Sequence, residues 1–162
     1  MEAVFGIALA VWIWLLLDGK SQATVAPSGV EPSSPAPATG NDALDNFLQA
    51  IFQKEGGRPG DRNVVNNNPG NLRKGIGMTG KAGGYATFAD QGDGWDALNA
   101  QVQKWLANHP DWDFYDFFDY YLRGSTTAHS VDDQGDSDAY AEYVANFGGW
   151  NPSQTVSSAL GA

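Results

Sequence analysis

The chain has 162 residues, a formal net charge of −10 and no cysteine. That length suits one modest domain with additional segments. The charge excludes a general nucleic-acid binder, which needs a basic footprint, and the missing cysteines exclude disulfide staples and thiolate metal sites.

In chain order, Ala3 to Leu17 is an uncharged apolar run containing Trp12 and Trp14. As a helix it spans roughly 22 Å at about 1.5 Å per residue, short of the roughly 30 Å bilayer core. Its start carries Glu2 and no cation, unlike a secretory signal. The expectation is an uncleaved membrane anchor over residues 1–18, with a signal peptide cut near Ser21-Gln22-Ala23 as the alternative. Residues 19–40 hold Pro27, Pro32, Pro35 and Pro37 among Ser, Ala, Thr and Gly. They have almost nothing large to bury and are expected to form a disordered linker. A folded domain is expected over residues 41–162.

That domain opens with an amphipathic helix over Ala43 to Glu55. Leu44, Phe47, Leu48, Ile51 and Phe52 recur at i, i+3, i+4, i+7 and i+8, one face of a 3.6-residue helix. The next position on that face, i+11, is Glu55, followed by Gly56 and Gly57, which end the helix. A carboxyl group on an apolar stripe, at the negative end of the macrodipole, is a setting suited to a general acid. The plainer reading is a solvated helix end. Arg58 to Arg73 follows, rich in Gly, Pro and Asn, and longer than the usual connection of about 4–6 residues. From Lys54 to Lys81 there are six basic residues (Lys54, Arg58, Arg62, Arg73, Lys74, Lys81) against two acids (Glu55, Asp61). This locally basic segment in an acidic chain suits a polymer bearing carboxylates; a solvated loop explains it equally well.

Tyr85-Ala86-Thr87-Phe88 reads as a short strand, and a β-hairpin is expected over about Leu72 to Phe88. Asp90 is a good N-cap for a helix through Trp95, Leu98, Val102, Trp105 and Leu106, stopped at Asn108-His109-Pro110. A further helix covers about Asp113 to Leu122, and another Ser137 to Phe147. The acidic run Asp132 to Asp138 lacks the Gly and Glu of a calcium loop and reads as a solvated loop ending in a helix cap. His109 and His129 stand alone, so neither a metal nor a cofactor is called for. Residues beyond Pro152 are expected to be loose. Most aromatics fall on helix faces and are expected in the core; Tyr85, Tyr140 and Trp150 are the exceptions held open for a ligand.

Glu55-Gly56-Gly57, Asn67 to Arg73, Tyr85 to Phe88 and Gly94 to Leu98, with a fainter Ser137 to Phe147, together resemble the lysozyme-like superfamily. More narrowly, they resemble phage and bacterial lytic transglycosylase or muramidase-type domains. The resemblance covers about Asp42 to Pro152. It implies a mainly α (α+β lysozyme-like) fold: a helical domain with one small β-hairpin lining a cleft. It implies cleavage of the β-1,4 bond between N-acetylmuramic acid and N-acetylglucosamine in peptidoglycan, with Glu55 catalytic. By the same resemblance, Asn68, Asn71, Arg73, Tyr85 and Tyr140 bind the glycan, Tyr140 near the acid with Tyr143 as its rival. Asp61 is the only acid between Glu55 and Asp90, and its expected role is pairing with Arg58 or Arg62. A site with one acid implies transglycosylation to 1,6-anhydro ends. The alternatives are a muramidase-type hydrolase, a non-catalytic wall-binding or virion module of the same fold, and a membrane-tethered adaptor for a protein partner. The expected setting is membrane-anchored, on the extracytoplasmic side or in a phage virion.

Overall fold

The computed structural model describes residues 37–124 and 131–161. The expected membrane helix therefore lies outside the described residues, as does the linker as far as residue 36. The described part is mainly helical with one small antiparallel sheet. Among the described residues no helix is long and apolar enough to cross a membrane.

Helix α1 (Asp42–Lys54) starts where the Asn41 side chain accepts from the Ala43 and Leu44 N–H groups, satisfying two of the donors that a helix start leaves unpaired. Its predicted stripe is the buried one: Leu44, Phe47, Leu48, Ile51 and Phe52 are all at most 4% exposed. At about 1.5–3 kcal/mol for each large side chain removed from water, this face anchors the domain. Thr39, expected in the linker, donates from N and Oγ1 to the Asp45 carboxylate.

The Gly/Asn-rich loop contains a single helical turn, α2 (Arg62–Val65), which periodicity could not reveal. The hairpin is shorter than expected. Strand β1 (Gly80–Ala82) pairs with β2 (Tyr85–Thr87), with Ala82 opposite Tyr85. Its two-residue turn is Gly83-Gly84, both at positive φ (58° and 87°), as a tight hairpin turn requires. Strand alternation sends Ala86 into the core and Tyr85 to the other face.

Helix α3 (Gln91–Asn108) is capped by Asp90, which accepts from Asp93 N–H. Helix α4 (Phe114–Arg123) is capped by Asp113 and ends at Gly124 in the left-handed region. Helix α5 runs over Val131–Gly148. It begins six residues before the expected start, so the acidic run read as a loop is helix. Ser137, expected to be its first residue, is instead buried inside it.

The tail is also ordered. Helix α6 (Val156–Leu160) is capped by Thr155 and buries Val156 and Leu160. Its entry is held by Phe114 N–H to Pro152 O and Val156 N–H to Trp112 O, and Asn41 Nδ2 donates to Leu160 O. Helix α1 packs on α5 and α6, and α4 packs on α5. Phe47 sits at their centre against Phe114, Phe117, Phe118 and Trp150. Trp150, held open for a ligand on sequence grounds, is partly buried and packs against this core.

Candidate functional site

Glu55 is the C-cap of α1, partly buried. Its two carboxylate oxygens are held by different parts of the fold. Asn71 Nδ2, from the loop, donates to Oε2 at 2.8 Å. The Tyr140 hydroxyl, from α5, donates to Oε1 at 2.9 Å. No cation forms an ion pair with Glu55 among the described residues.

Tyr140 is 4% exposed and stacks on Phe118 at 4.5 Å. Burial pushes its phenol well above the usual tyrosine range, and the neighbouring Tyr121 and Glu55 push it the same way. It therefore remains a proton-bearing donor across the neutral range. The rival Tyr143 forms no hydrogen bond to Glu55; it is 38% exposed, with Lys54 Nζ 5.2 Å from its ring centre.

Tyr121 has no role on sequence grounds, because an aromatic at helical spacing reads as core. Its hydroxyl donates to Gly70 O, immediately before Asn71, and its ring meets that of Tyr140 edge-on at 5.7 Å. A Cβ at Gly70 would lie 2.9 Å from the Tyr121 oxygen and 2.6 Å from Leu98 Cδ1, so only glycine fits between them. Burial, then the nearby Glu55, raise the Tyr121 phenol well above its ordinary range too. Tyr121 thus braces both donors that hold Glu55.

Asn71 has φ 46°, in the left-handed region that asparagine tolerates better than most residues. This turn aims its amide at Glu55. Its Oδ1 is buried and has no partner among the described residues.

Asn68 corrects the expectation that it binds sugar. It is 0% exposed, and its amide is fully engaged in the protein. Nδ2 donates to Leu72 O and Ala86 O, each at 2.9 Å, and Oδ1 accepts from Leu72 N–H at 2.8 Å. It stitches the loop to β2. Asn67 does the same with Phe88 O and Ala89 O. Asn63, fully buried, donates to Phe52 O and Pro69 O and accepts from Gly57 N–H. It ties the end of α1 to the loop.

Tyr85 is partly exposed, with the Arg62 guanidinium 4.4 Å from its ring centre. Arg73 is exposed. The structure brings neither into contact with Glu55 through a hydrogen bond. Asp61 Oδ2 accepts from the Arg58 backbone N–H at 2.9 Å, and it would lie 2.6 Å from a Cβ at Gly56. Its expected partner was an arginine side chain, but it forms no ion pair among the described residues.

A second polar cluster lies between α4 and α5. Asp119, 5% exposed, accepts from Ser137 Oγ, and Arg123 Nη1 stands 3.3 Å from Asp119 Oδ1. Arg123 Nη2 donates to Ser137 Oγ at 2.9 Å.

The Glu55 arrangement can transfer a proton. The acid sits at a partly open helix end, and its geometry is fixed by two neutral donors. No family model, curated protein or solved structure matches this chain.

Proposed function

We propose that this chain is a lysozyme-like peptidoglycan-cleaving enzyme that works as a lytic transglycosylase with Glu55 as its acid. The observation that carries the reading is the Glu55 carboxyl group held by Asn71 and Tyr140 from two separate elements. The resemblance in the sequence falls on the same residues. Retaining and inverting glycosidases usually need a second carboxylate, about 5–5.5 Å or 6.5–9.5 Å away. The nearest candidate in sequence, Asp61, is engaged with the Arg58 backbone, and the group facing Glu55 is an amide. One acid suffices when the substrate's own acetamido group assists.

Glu55 gives its proton to the glycosidic oxygen as the C1–O bond breaks. The acetamido carbonyl oxygen of the muramic acid closes on C1 to give an oxazolinium ion. Glu55, now a carboxylate, takes the proton of the 6-hydroxyl. That oxygen attacks C1, reopens the ring and forms the 1,6-anhydro bond, so no water is consumed. Tyr140 and Asn71 keep the carboxyl in place through both proton transfers.

Peptidoglycan lies outside the cytoplasmic membrane, so this activity requires export or delivery in a virion, with residues 1–18 as tether. The test of the chemistry is the mass of fragments released from purified peptidoglycan. Anhydromuramyl ends, lighter by one water than hydrolysed ends, are expected. Reducing ends alone would replace this reading with a muramidase-type hydrolase.

A further inference from the structure

Beside the hairpin turn is an open depression lined by Gly60, Arg62, Val65, Asn66, Ala82 and Gly83. None of these residues holds Glu55. Asn66 is 6% exposed, and its Nδ2 has no hydrogen-bond partner among the described residues. A buried donor left unpaired costs about 1–3 kcal/mol, and nearby Asn63, Asn67 and Asn68 all use theirs. The Arg62 guanidinium lies 4.4 Å from the Tyr85 ring centre and forms no ion pair among the described residues. The cation–π contact holds the guanidinium against the ring, and its N–H fork has no carboxylate partner among the described residues. The opposite wall is made of small residues, and nothing lies within 4 Å of where a Cβ would stand at Gly60 or Gly83. Asp61, the nearest acid in sequence, has Oδ2 committed to the Arg58 N–H.

We infer that this depression is an anion subsite that takes a carboxylate of the peptidoglycan stem peptide, an inference that rests on the function proposed above. A carboxylate offers about four acceptor positions. The Arg62 fork fills two and Asn66 Nδ2 a third. A sugar hydroxyl would not match a fork of two parallel donors, and a carboxylate does. The surrounding segment is the one basic stretch of a chain with net charge −10, which draws an anion here rather than elsewhere.

The experiment uses the full-length chain carrying Glu55→Gln, so that the probe is not consumed. The probe is a disaccharide–peptide muropeptide with free carboxylates, compared with the same molecule fully amidated. Amide NMR follows the Asn66 side-chain NH2 and the Arg62 Nε–H. The free acid is expected to shift both signals and to bind about tenfold more tightly than the amidated form, the scale of one charge-assisted hydrogen bond. Arg62→Gln abolishes that preference, and Arg62→Lys, which keeps the charge but not the fork, retains part of it. In the active protein, Arg62→Gln raises KM for peptide-bearing strands about tenfold and leaves kcat in place. Equal affinity for the two muropeptides, or unmoved Asn66 signals, overturns the subsite. The two readings fail separately. Cleavage of peptide-free strands with silent Asn66 signals removes only the subsite. Selective binding of the free acid with no cleavage by the wild type removes only the catalytic reading.

Discussion

Helix α5 meets its neighbours at two polar clusters of opposite design. At one, Asp119 is 5% exposed and paired with Arg123 and Ser137, both within the α4–α5 contact. At the other, Glu55 has only neutral donors, Asn71 and Tyr140, and a side left open. Asp119 and Arg123 lie one turn apart on α4, and Ser137 of α5 bonds to both, which ties the two helices together. An acid positioned by neutral groups keeps its orientation without a counter-charge, and a substrate can reach it. Both clusters contain an acid on a helix and residues of α5; the presence of a cation and of solvent separates lock from site.

The largest effect expected from breaking this contrast falls on the lock. Asp119→Ala leaves a buried guanidinium without its partner and is expected to cost about 3–5 kcal/mol of folding stability. Urea unfolding followed by circular dichroism measures it. A loss under 1 kcal/mol would mean that the cluster contributes little to the stability of the fold.

Next comes the holding of the acid. Asn71→Ala and Tyr140→Phe each remove one of the two hydrogen bonds that position the Glu55 carboxyl group. Each is expected to lower the rate of wall lysis about 10- to 100-fold, through kcat rather than KM. The two effects should combine non-additively, since both act on one carboxyl group. Tyr121→Phe, one step further out, removes a neutral bond worth about 0.5–1.5 kcal/mol. A fall in kcat of about 2- to 10-fold is expected. Its effect should vanish in an Asn71→Ala background, because Tyr121 acts through the Gly70–Asn71 turn. A full additional loss in the double variant would exclude that route.

The smallest effect is in pH. Tyr121 and Tyr140 keep their protons in the folded state beyond the ordinary value of 10.0. Above that pH the folded chain binds more protons than the unfolded one, so ΔG of unfolding decreases as pH rises. The phenols' contribution is complete below about pH 10 and is lost progressively above it. Phenylalanine at both positions should flatten the alkaline limb of a melting profile.

These contrasts also mark what the sequence alone could convey. The α1 stripe was legible because its period is a geometric property of the helix, and the same period placed Glu55 on the buried side at the helix end. Tyr140 was named by resemblance, and the structure sets its hydroxyl on Glu55. The asparagines were harder. Asn63, Asn67, Asn68 and Asn71 have the same side chain and neighbouring positions, yet three bind backbone and one faces the acid. Direction depends on loop dihedrals such as φ 46° at Asn71, which carry no periodic signal. Tyr121 was hidden by the same period that revealed α1, since a tyrosine on a packed face reads as core until its hydroxyl is located. Ser137 and the residues after Pro152 misled by composition: short polar residues favour loops in isolation, and here tertiary contacts override them.

The central claim is that Glu55 supplies the proton. The measurement is turbidity loss of purified peptidoglycan with the full-length wild type and Glu55→Gln in parallel, with a thermal melt of each. Glutamine keeps the size and can still accept from Asn71 and Tyr140, but it has no acidic proton. Lysis is expected to fall by about 10²–10⁴-fold, the contribution of a general acid, while the melts stay within a few degrees of each other. Lysis by folded Glu55→Gln at the wild-type rate would contradict the account.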